Sequence, residues 1–309
     1  MLCEFDGKPF IKNEEFILSG HQLMIEMGSG GAMIPIIERL AEPGHYVGPS
    51  EFDNVINLRD LIIDSGMRSS RITDADMWSE KNLPPEGIRM LEFEDPEIKI
   101  MAQKISEIAS ECSNTDADAC SRYYGLAKKI FGKIPGATGV DPKNTVFLGL
   151  LRAGGVAGKM LDIPLEEQIL IETKRLRLKE GDGGYMSIGI NYKNQDDLKK
   201  MNGKHWLIAD PAGATFASVI ANLALATRLN IHPGKVSIWN IVASHKGSIF
   251  ALDAMKQLGI DGEIVAGGYS PGMNDKYYLE TPEGHPSVGD AGDWLNCFLY
   301  SEHPIVPRT

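Results

Sequence analysis

Two patterns of apolar positions divide the chain. Over residues 97–109 apolar side chains at Ile98, Met101, Ile105 and Ile108 recur with the spacing of an amphipathic helix. Asp95-Pro96 opens that stretch, with Asp as N-cap and Pro at the first helical position. A second helix is predicted over 119–131, with Pro135, Gly136 and Gly139 ending it in a loop. From residue 145 the pattern changes to short apolar runs at 145–151 (TVFLGLL), 169–171, 206–209 (WLIA), 236–243 (VSIWNIVA) and 263–266 (EIVA). Helical stretches at 217–229 and 247–258 separate the later runs. Short buried strands alternating with helices predict an α/β fold, a Rossmann-type parallel sheet with flanking helices. Ligands on such sheets bind beyond the carboxyl ends of the strands, so the residues just after each run are the candidates for chemistry.

Residues 1–95 follow neither pattern. A helix around 22–40 is interrupted by Gly28-Ser29-Gly30-Gly31 and Pro35. The glycine cluster reads as a tight turn, because no strand precedes it as a phosphate loop requires. Residues 54–64 alternate apolar and charged positions and read as a strand or a short helix, and Pro84-Pro85 marks a break. The expected organisation is an N-terminal extension, 1–95, and an α/β domain, 96–309.

Composition narrows the class. With 309 residues, 43% hydrophobic and 24% charged, the chain can bury a full core without staples. A net charge of −11 argues against extended nucleic-acid binding, yet one small phosphorylated ligand needs only local donors. Cys3, Cys112, Cys120 and Cys297 form no C-x-x-C pair and have no histidine at zinc-ligand spacing, so they are expected to be free thiols in a reducing compartment. The start, MLCEFDGKPF, is acidic and mixed and lacks the basic start and apolar run of a signal peptide. No apolar stretch approaches the roughly 18 residues of a membrane span. A cytoplasmic location without nucleic-acid or membrane partners is expected.

The first candidate site is the stretch 206–219, WLIADPAGATFASV. A strand ends in Asp210, a loop of small residues follows, and a helix begins. Thr215 and Ser218 offer hydroxyls at the helix start, where unpaired first-turn amides suit a phosphate. Asp210 suits ribose hydroxyls or a metal ion. The same residues also read as a plain strand–turn–helix with Ser or Thr as the cap. Arg152-Ala153-Gly154-Gly155, after the run at 145–151, couples a guanidinium suited to bidentate phosphate contact with small residues that permit a tight turn. Its alternative is a surface arginine before a helix. Lys174, Arg175, Arg177 and Lys179, followed by Gly181, Gly183 and Gly184, read as a basic flap over an anionic ligand or as a solvated hairpin. Gly289-Asp290-Ala291-Gly292-Asp293 lets backbone groups reach a flat heterocycle; alternatively, Asp293 caps a final helix over 294–300.

In this order the motifs resemble the uracil phosphoribosyltransferase family over roughly residues 145–298. The family's loop after the corresponding strand holds the 5-phosphate of phosphoribosyl pyrophosphate (PRPP). The chain shares Asp210-Pro211, Ala214-Thr215 and Ser218 with it, and has Phe216 and Ala217 where the family has two glycines. That difference predicts crowding of the backbone's approach to phosphate. Arg152, Ala153 and Gly154 match the family's pyrophosphate loop, and the 172–191 stretch matches its mobile hairpin, with Arg175 as the arginine. The pentapeptide 289–293 is identical to the family's closing sequence, whose hood reads uracil mainly through main-chain groups. Gly289 and Ala291 fall in that hood, Asp290 matches its aspartate, and Asn274 and Tyr278 fall in the stretch before it. Residues 280–288 are longer than the family's counterpart, which implies a reshaped hood.

The resemblance implies a type I phosphoribosyltransferase fold with a flap and a C-terminal hood. It also implies PRPP bound with Mg²⁺, a small heterocyclic base as acceptor, and a homodimer. Asp210, Arg152, Arg175 and Asp290 would carry the chemistry. Ala153, Gly154, Ala214, Thr215, Phe216, Ala217, Ser218, Tyr278, Gly289 and Ala291 would line the ligands. The alternative is a catalytically inactive module of the same fold that senses a ligand or acts as a scaffold.

Overall fold

The structure is a computed structural model. It describes residues 77–151, 153–164, 167–176, 187–192, 200–273, 279–281 and 284–295, with the backbone of three short strands earlier in the chain. Of those three, β1 (Cys3–Phe5) and β2 (Lys8–Phe10) pair with each other, and β3 (Asn54–Asn57) joins the main sheet. Its other strands are β4 (Ile88–Met90), β5 (Val146–Leu151), β6 (Gln168–Leu176), β7 (Ser187–Tyr192), β8 (His205–Ala209), β9 (Ala212–Gly213), β10 (Lys235–Ser244) and β11 (Gly262–Ser270). The order across the sheet is β3-β7-β6-β5-β8-β10-β11-β4, with β9 pairing β10 beyond the end of β8. Pairing is parallel from β6 through to β4 and antiparallel only at β6–β7 and β7–β3.

The helices are α1 (Pro96–Glu111), α2 (Ala117–Thr138), α3 (Ala153–Met160), α4 (Ala217–Arg228) and α5 (His245–Gln257). Apolar residues of α1, α2 and α3 share one buried cluster with Leu207, Ala209 and Trp239 of the sheet. Those of α4 and α5 share another with Ile208, Ile238 and Ile264. Alternate residues of β8 thus feed cores on opposite faces, as the two-residue period of a strand requires. This is a mostly parallel α/β sheet covered on both sides, the fold class expected. Among the described residues no helix is long and apolar enough to cross a membrane.

Local chemistry explains the boundaries. The Asp95 side chain accepts from the Glu97 amide at 2.9 Å and Pro96 opens α1. Asp116 accepts from the amides of Asp118 and Ala119 at the start of α2. That helix does not end at Pro135. It runs on to Thr138, and Gly139, at φ 71°, caps it through its amide to the Pro135 carbonyl at 2.8 Å. Proline costs the helix one donor, but the buried face with Ile130, Phe131 and Ile134 carries it past that loss. Two other segments outrun the expectation. β6 continues to Leu176 as half of a hairpin with β7, and β11 continues through Gly267 and Gly268 to Ser270. Those glycines serve packing rather than a turn, since a Cβ at Gly267 would lie 2.3 Å from an Ile130 side-chain carbon and 2.8 Å from the Ile241 carbonyl oxygen. Residues 54–57 are strand; the helix expected over 22–40 and the Gly28–Gly31 cluster lie outside the described residues.

Candidate active site

From β5 the chain crosses through α3 to β6 on one side, then returns through β8 on the other. The carboxyl ends of β5 and β8 therefore flank the point where the strand order reverses, the place such sheets present to a ligand. Two of the candidate loops meet there. A Cβ at Gly154, the second residue of α3, would lie 2.9 Å from the Ala209 carbonyl oxygen. Only glycine lets this turn close against β8, so the loops after β5 and β8 are neighbours. Ala153 is half-buried at the start of α3. Arg152 itself lies outside the described residues.

After Ala209 the ladder to β10 is interrupted at Asp210-Pro211 and resumes in the same register, with Trp239 opposite Ala209 and Val242 opposite Ala212. The Asp210 amide donates to the Trp239 carbonyl at 2.9 Å, and the Pro211 carbonyl accepts from the Ile241 amide at 3.0 Å. The Asp210 carboxylate is partly exposed and lies 3.4 Å from the Ala212 amide. β10 supports the turn from beneath. Asn240 Nδ2 donates to the Asp210 carbonyl at 2.5 Å, and Ser244 Oγ donates to the Ala214 carbonyl at 2.5 Å while accepting from the Gly247 amide at 3.0 Å. A Cβ at Gly247 would stand 1.9 Å from the Ala214 oxygen, so this approach requires glycine.

Phe216 is the N-cap of α4, at φ 56° and ψ 12°, and makes no side-chain cap hydrogen bond. The left-handed conformation is the one glycine favours and is rare for a bulky residue. Where the resembling family has glycine, this chain thus places phenylalanine in a backbone shape suited to glycine. The ring turns inward: Phe216 is 5% exposed and belongs to the core cluster under α4. Thr215 is buried, its Oγ1 3.4 Å from the Ala217 amide; Ala214 and Ser218 are partly exposed. The plain reading, a helix capped by Ser or Thr at the N-cap, is not what forms.

Lys174 and Arg175 lie in β6, opposite Gly189 and Ile188 of β7. Arg177, Lys179 and the glycines after them lie outside the described residues, as do Asn274 and Tyr278.

The hood packs on the α1–α3 face. Its short ladder pairs β12 (Gly272–Met273) with β13 (Leu279–Glu280). Ser106 Oγ of α1 donates to the Pro286 carbonyl at 2.7 Å, and the Tyr123 hydroxyl of α2 donates to the Val288 carbonyl at 2.8 Å. Tyr123 also stacks on Trp294, ring centroids 5.4 Å apart. Burial, and then the nearby Asp290 carboxylate, push the Tyr123 phenol well above its ordinary range, so it remains a neutral donor. Gly289 has φ 57°, and Asp290 Oδ1 accepts from the Asp293 amide at 3.1 Å. A helical turn over 291–295 begins here, so Asp290, not Asp293, occupies the capping position. Ala212 and Ala214 of the β8 turn pack against the same cluster as Val288 and Ala291.

Other residues at these strand ends were not singled out in the sequence. His245 follows β10, is 6% exposed, and stacks on Trp78 with centroids 4.3 Å apart; its Nδ1 is 3.4 Å from the Tyr269 hydroxyl at the end of β11. Glu92 accepts from the Tyr269 amide at 3.0 Å, and burial pushes its carboxyl up to about 7. Ser244 had a readable local signal, a serine three residues before an amide it caps. Trp78 and Glu92 had none, because their partners are far along the chain.

No protein-family model matches the chain, and no curated protein matches it. Among solved structures, it is similar to a protein from Aquifex aeolicus at 21% identity, over 68% of this chain and 98% of that one, TM-score 0.46. It is similar to adenine phosphoribosyl transferase from Trypanosoma brucei, in complex with AMP, pyrophosphate and ribose-5-phosphate, at 12% identity over 60% and 85% of the two chains, TM-score 0.40. It is also similar to orotate phosphoribosyltransferase from Mycobacterium tuberculosis, in complex with PRPP, at 14% identity over 56% and 90%, TM-score 0.35.

Proposed function

We propose that this protein is a phosphoribosyltransferase that moves ribose 5-phosphate from PRPP to uracil or a related heterocyclic base and releases pyrophosphate. The observation that carries the reading is the turn after β8. It places Asp210 at the switch point beside Gly154, and starts α4 from a left-handed residue with no side-chain cap. Such a turn offers first-turn amides and small residues to a phosphate and a carboxylate to a sugar.

In this proposal Thr215, Ser218 and the amides near Ala217 hold the 5-phosphate, with Ala214 and the backbone of Phe216 shaping the loop. Asp210 orients the ribose hydroxyls. Arg152, with Ala153 and Gly154, and Arg175 on the hairpin neutralise pyrophosphate. Main-chain groups at Gly289 and Ala291, with Tyr278, hold the base. A base nitrogen forms its bond to C1 of the ribose as the bond from C1 to pyrophosphate breaks; the electron pair leaves with pyrophosphate, and Asp290 receives the proton lost by the base. Charge moves from ring to leaving group, so positioning and fixed electrostatics do most of the work. The described residues contain no group of three His, Cys, Asp or Glu that could hold a metal. One carboxylate, Asp210, fits Mg²⁺ arriving on the substrate rather than a protein cage, and that ion would offset phosphate charge. A homodimer is part of the same proposal.

Calorimetric titration with PRPP in Mg²⁺ tests the reading. Wild type is expected to bind, and Asp210→Asn and Arg152→Ala to bind about tenfold or more weakly, in line with loss of a charge-assisted contact. No binding by wild type would overturn the proposal; unchanged affinity in Arg152→Ala would remove that residue from it.

A further inference from the structure

Among the described residues, four buried side-chain polar atoms have no hydrogen-bond partner: Gln168 Oε1, Trp239 Nε1, Asn240 Oδ1 and Ser248 Oγ. Two of them sit on neighbouring residues of β10, abreast of Asp210. Asn240 is fully buried, and its amide splits into two unlike halves. The NH₂ donates to the Asp210 carbonyl; the oxygen is unsatisfied. Turning the amide over would set two oxygens against each other, so this orientation is the one the contacts allow.

Folding alone does not favour such a residue. Ile238 and Ala243 of β10 lie in the apolar cluster under α4, and leucine at 240 would remain buried and remove the unpaired Oδ1, while taking from the Asp210 carbonyl its side-chain donor. What asparagine adds is grip on the turn. Its Nδ2 reaches the Asp210 backbone, and its Cγ lies 2.9 Å from where a Gly213 Cβ would be, with the Phe216 ring 2.5 Å from that same point. Asn240, Gly213 and Phe216 therefore interlock beneath the loop that carries Asp210 and Thr215.

We infer that Asn240 is a positioning residue: it fixes the main chain of Asp210 so that the carboxylate and the following loop are preset for a sugar phosphate, and the fold bears an unpaired acceptor to keep it. The inference deepens the phosphoribosyltransferase reading and rests on it. It touches no ligand; it acts through Asp210.

The test is Asn240→Leu in the full chain, with Asn240→Ala as the smaller variant should leucine fail to fold. Three quantities are read: thermal midpoint, hydrogen exchange of the amides at 212–216 without ligand, and calorimetric affinity for PRPP with Mg²⁺. Expected are a midpoint in Asn240→Leu close to that of wild type, because losing the donor to the Asp210 carbonyl and losing the unpaired acceptor offset each other, with faster exchange confined to the turn and PRPP binding weakened about tenfold. Wild-type exchange and affinity in the variant would overturn the inference. So would a lowered midpoint with exchange raised across the whole sheet, which is the signature of a merely structural role. Failure of wild type to bind PRPP would instead overturn the functional reading, while the exchange data would still decide whether Asn240 tethers the turn.

Discussion

The turn at 210–217 and the hood at 284–295 are both rich in small residues, but they are held by different means. The turn is held through its backbone. Its carbonyls at Asp210, Pro211 and Ala214 are taken by donors from β10, and glycine at 154 and 247 brings neighbouring chain against it. The hood hangs on side chains that reach across from helices, Ser106 from α1 and Tyr123 from α2. A loop fixed by its own sheet is rigid and tolerates little change. The hood also sets Val288, Ala291, Trp294 and Leu295 into the core it shares with Leu207 and Trp239, so the change it tolerates falls on its exposed residues. In the proposed reaction the first region meets the constant part of the substrate, the sugar phosphate, and the second meets the base, the part in which substrates differ.

Substitutions can break this contrast. The largest effect is expected at Phe216. Phe216→Gly relaxes the left-handed backbone, worth roughly 1–2 kcal/mol, but deletes a buried ring worth roughly 3–5 kcal/mol. A net loss of about 2–3 kcal/mol in denaturant unfolding is expected. A variant as stable as wild type would show that the turn does not depend on the ring. Next comes Tyr123→Phe, which leaves the buried Val288 carbonyl without its donor. A loss of about 2 kcal/mol is expected by thermal unfolding, with PRPP affinity unchanged. If PRPP affinity fell as well, the hood and the turn would be coupled.

The smallest effect concerns Glu92, which ties the segment after β4 to the end of β11. Its folded-state value of about 7 lies above the ordinary 4.5, because burial penalises the charged form. The folded chain therefore holds the proton more tightly than the unfolded chain. Its contribution is complete below about pH 4.5 and is lost as pH rises through about 7. Lys99 on α1 and the Tyr269 amide partly oppose the shift. Unfolding followed from pH 4.5 to 8 should show Glu92→Gln losing less stability than wild type over that range, by on the order of 1 kcal/mol. Parallel curves would remove Glu92 as the cause.

Much of the sheet was legible because β5, β8 and β10 are continuous apolar runs, the mark of strands buried on both faces. The turn after β8 was legible for a local reason: a strand ending in Asp-Pro, then small residues, then a helix. What escaped was information carried by distant partners. The apolar run at 263–266 gives no sign that the strand continues through Gly267 and Gly268, against which the Ile130 and Val242 side chains pack. Pro135 resembles a helix end until the buried face of α2 is seen to continue past it. Phe216 stands in the loop where steric obstruction is expected, and only packing shows that its ring turns into the core. Asn240 belongs to an apolar run and offers no local sign that it holds Asp210 from thirty residues away.

The pairing of β4 with β11, and of β3 with β7, also bears on how the molecule is made. Ile88 is opposite Ile264, and Val55 is opposite Gly189, so strands synthesised early form the outermost positions of a sheet whose centre is synthesised later. At ribosomal speed Ile88 waits on the order of 20 s for its partner to emerge. The nascent chain can pair β3 with β7 and assemble β5, β6 and β8 before β10 and β11 emerge, so the β4 margin is added last. The product of release before β10 would be a sheet with β8 at an open edge and β4 without its partner strand, a form prone to pair with another copy of itself.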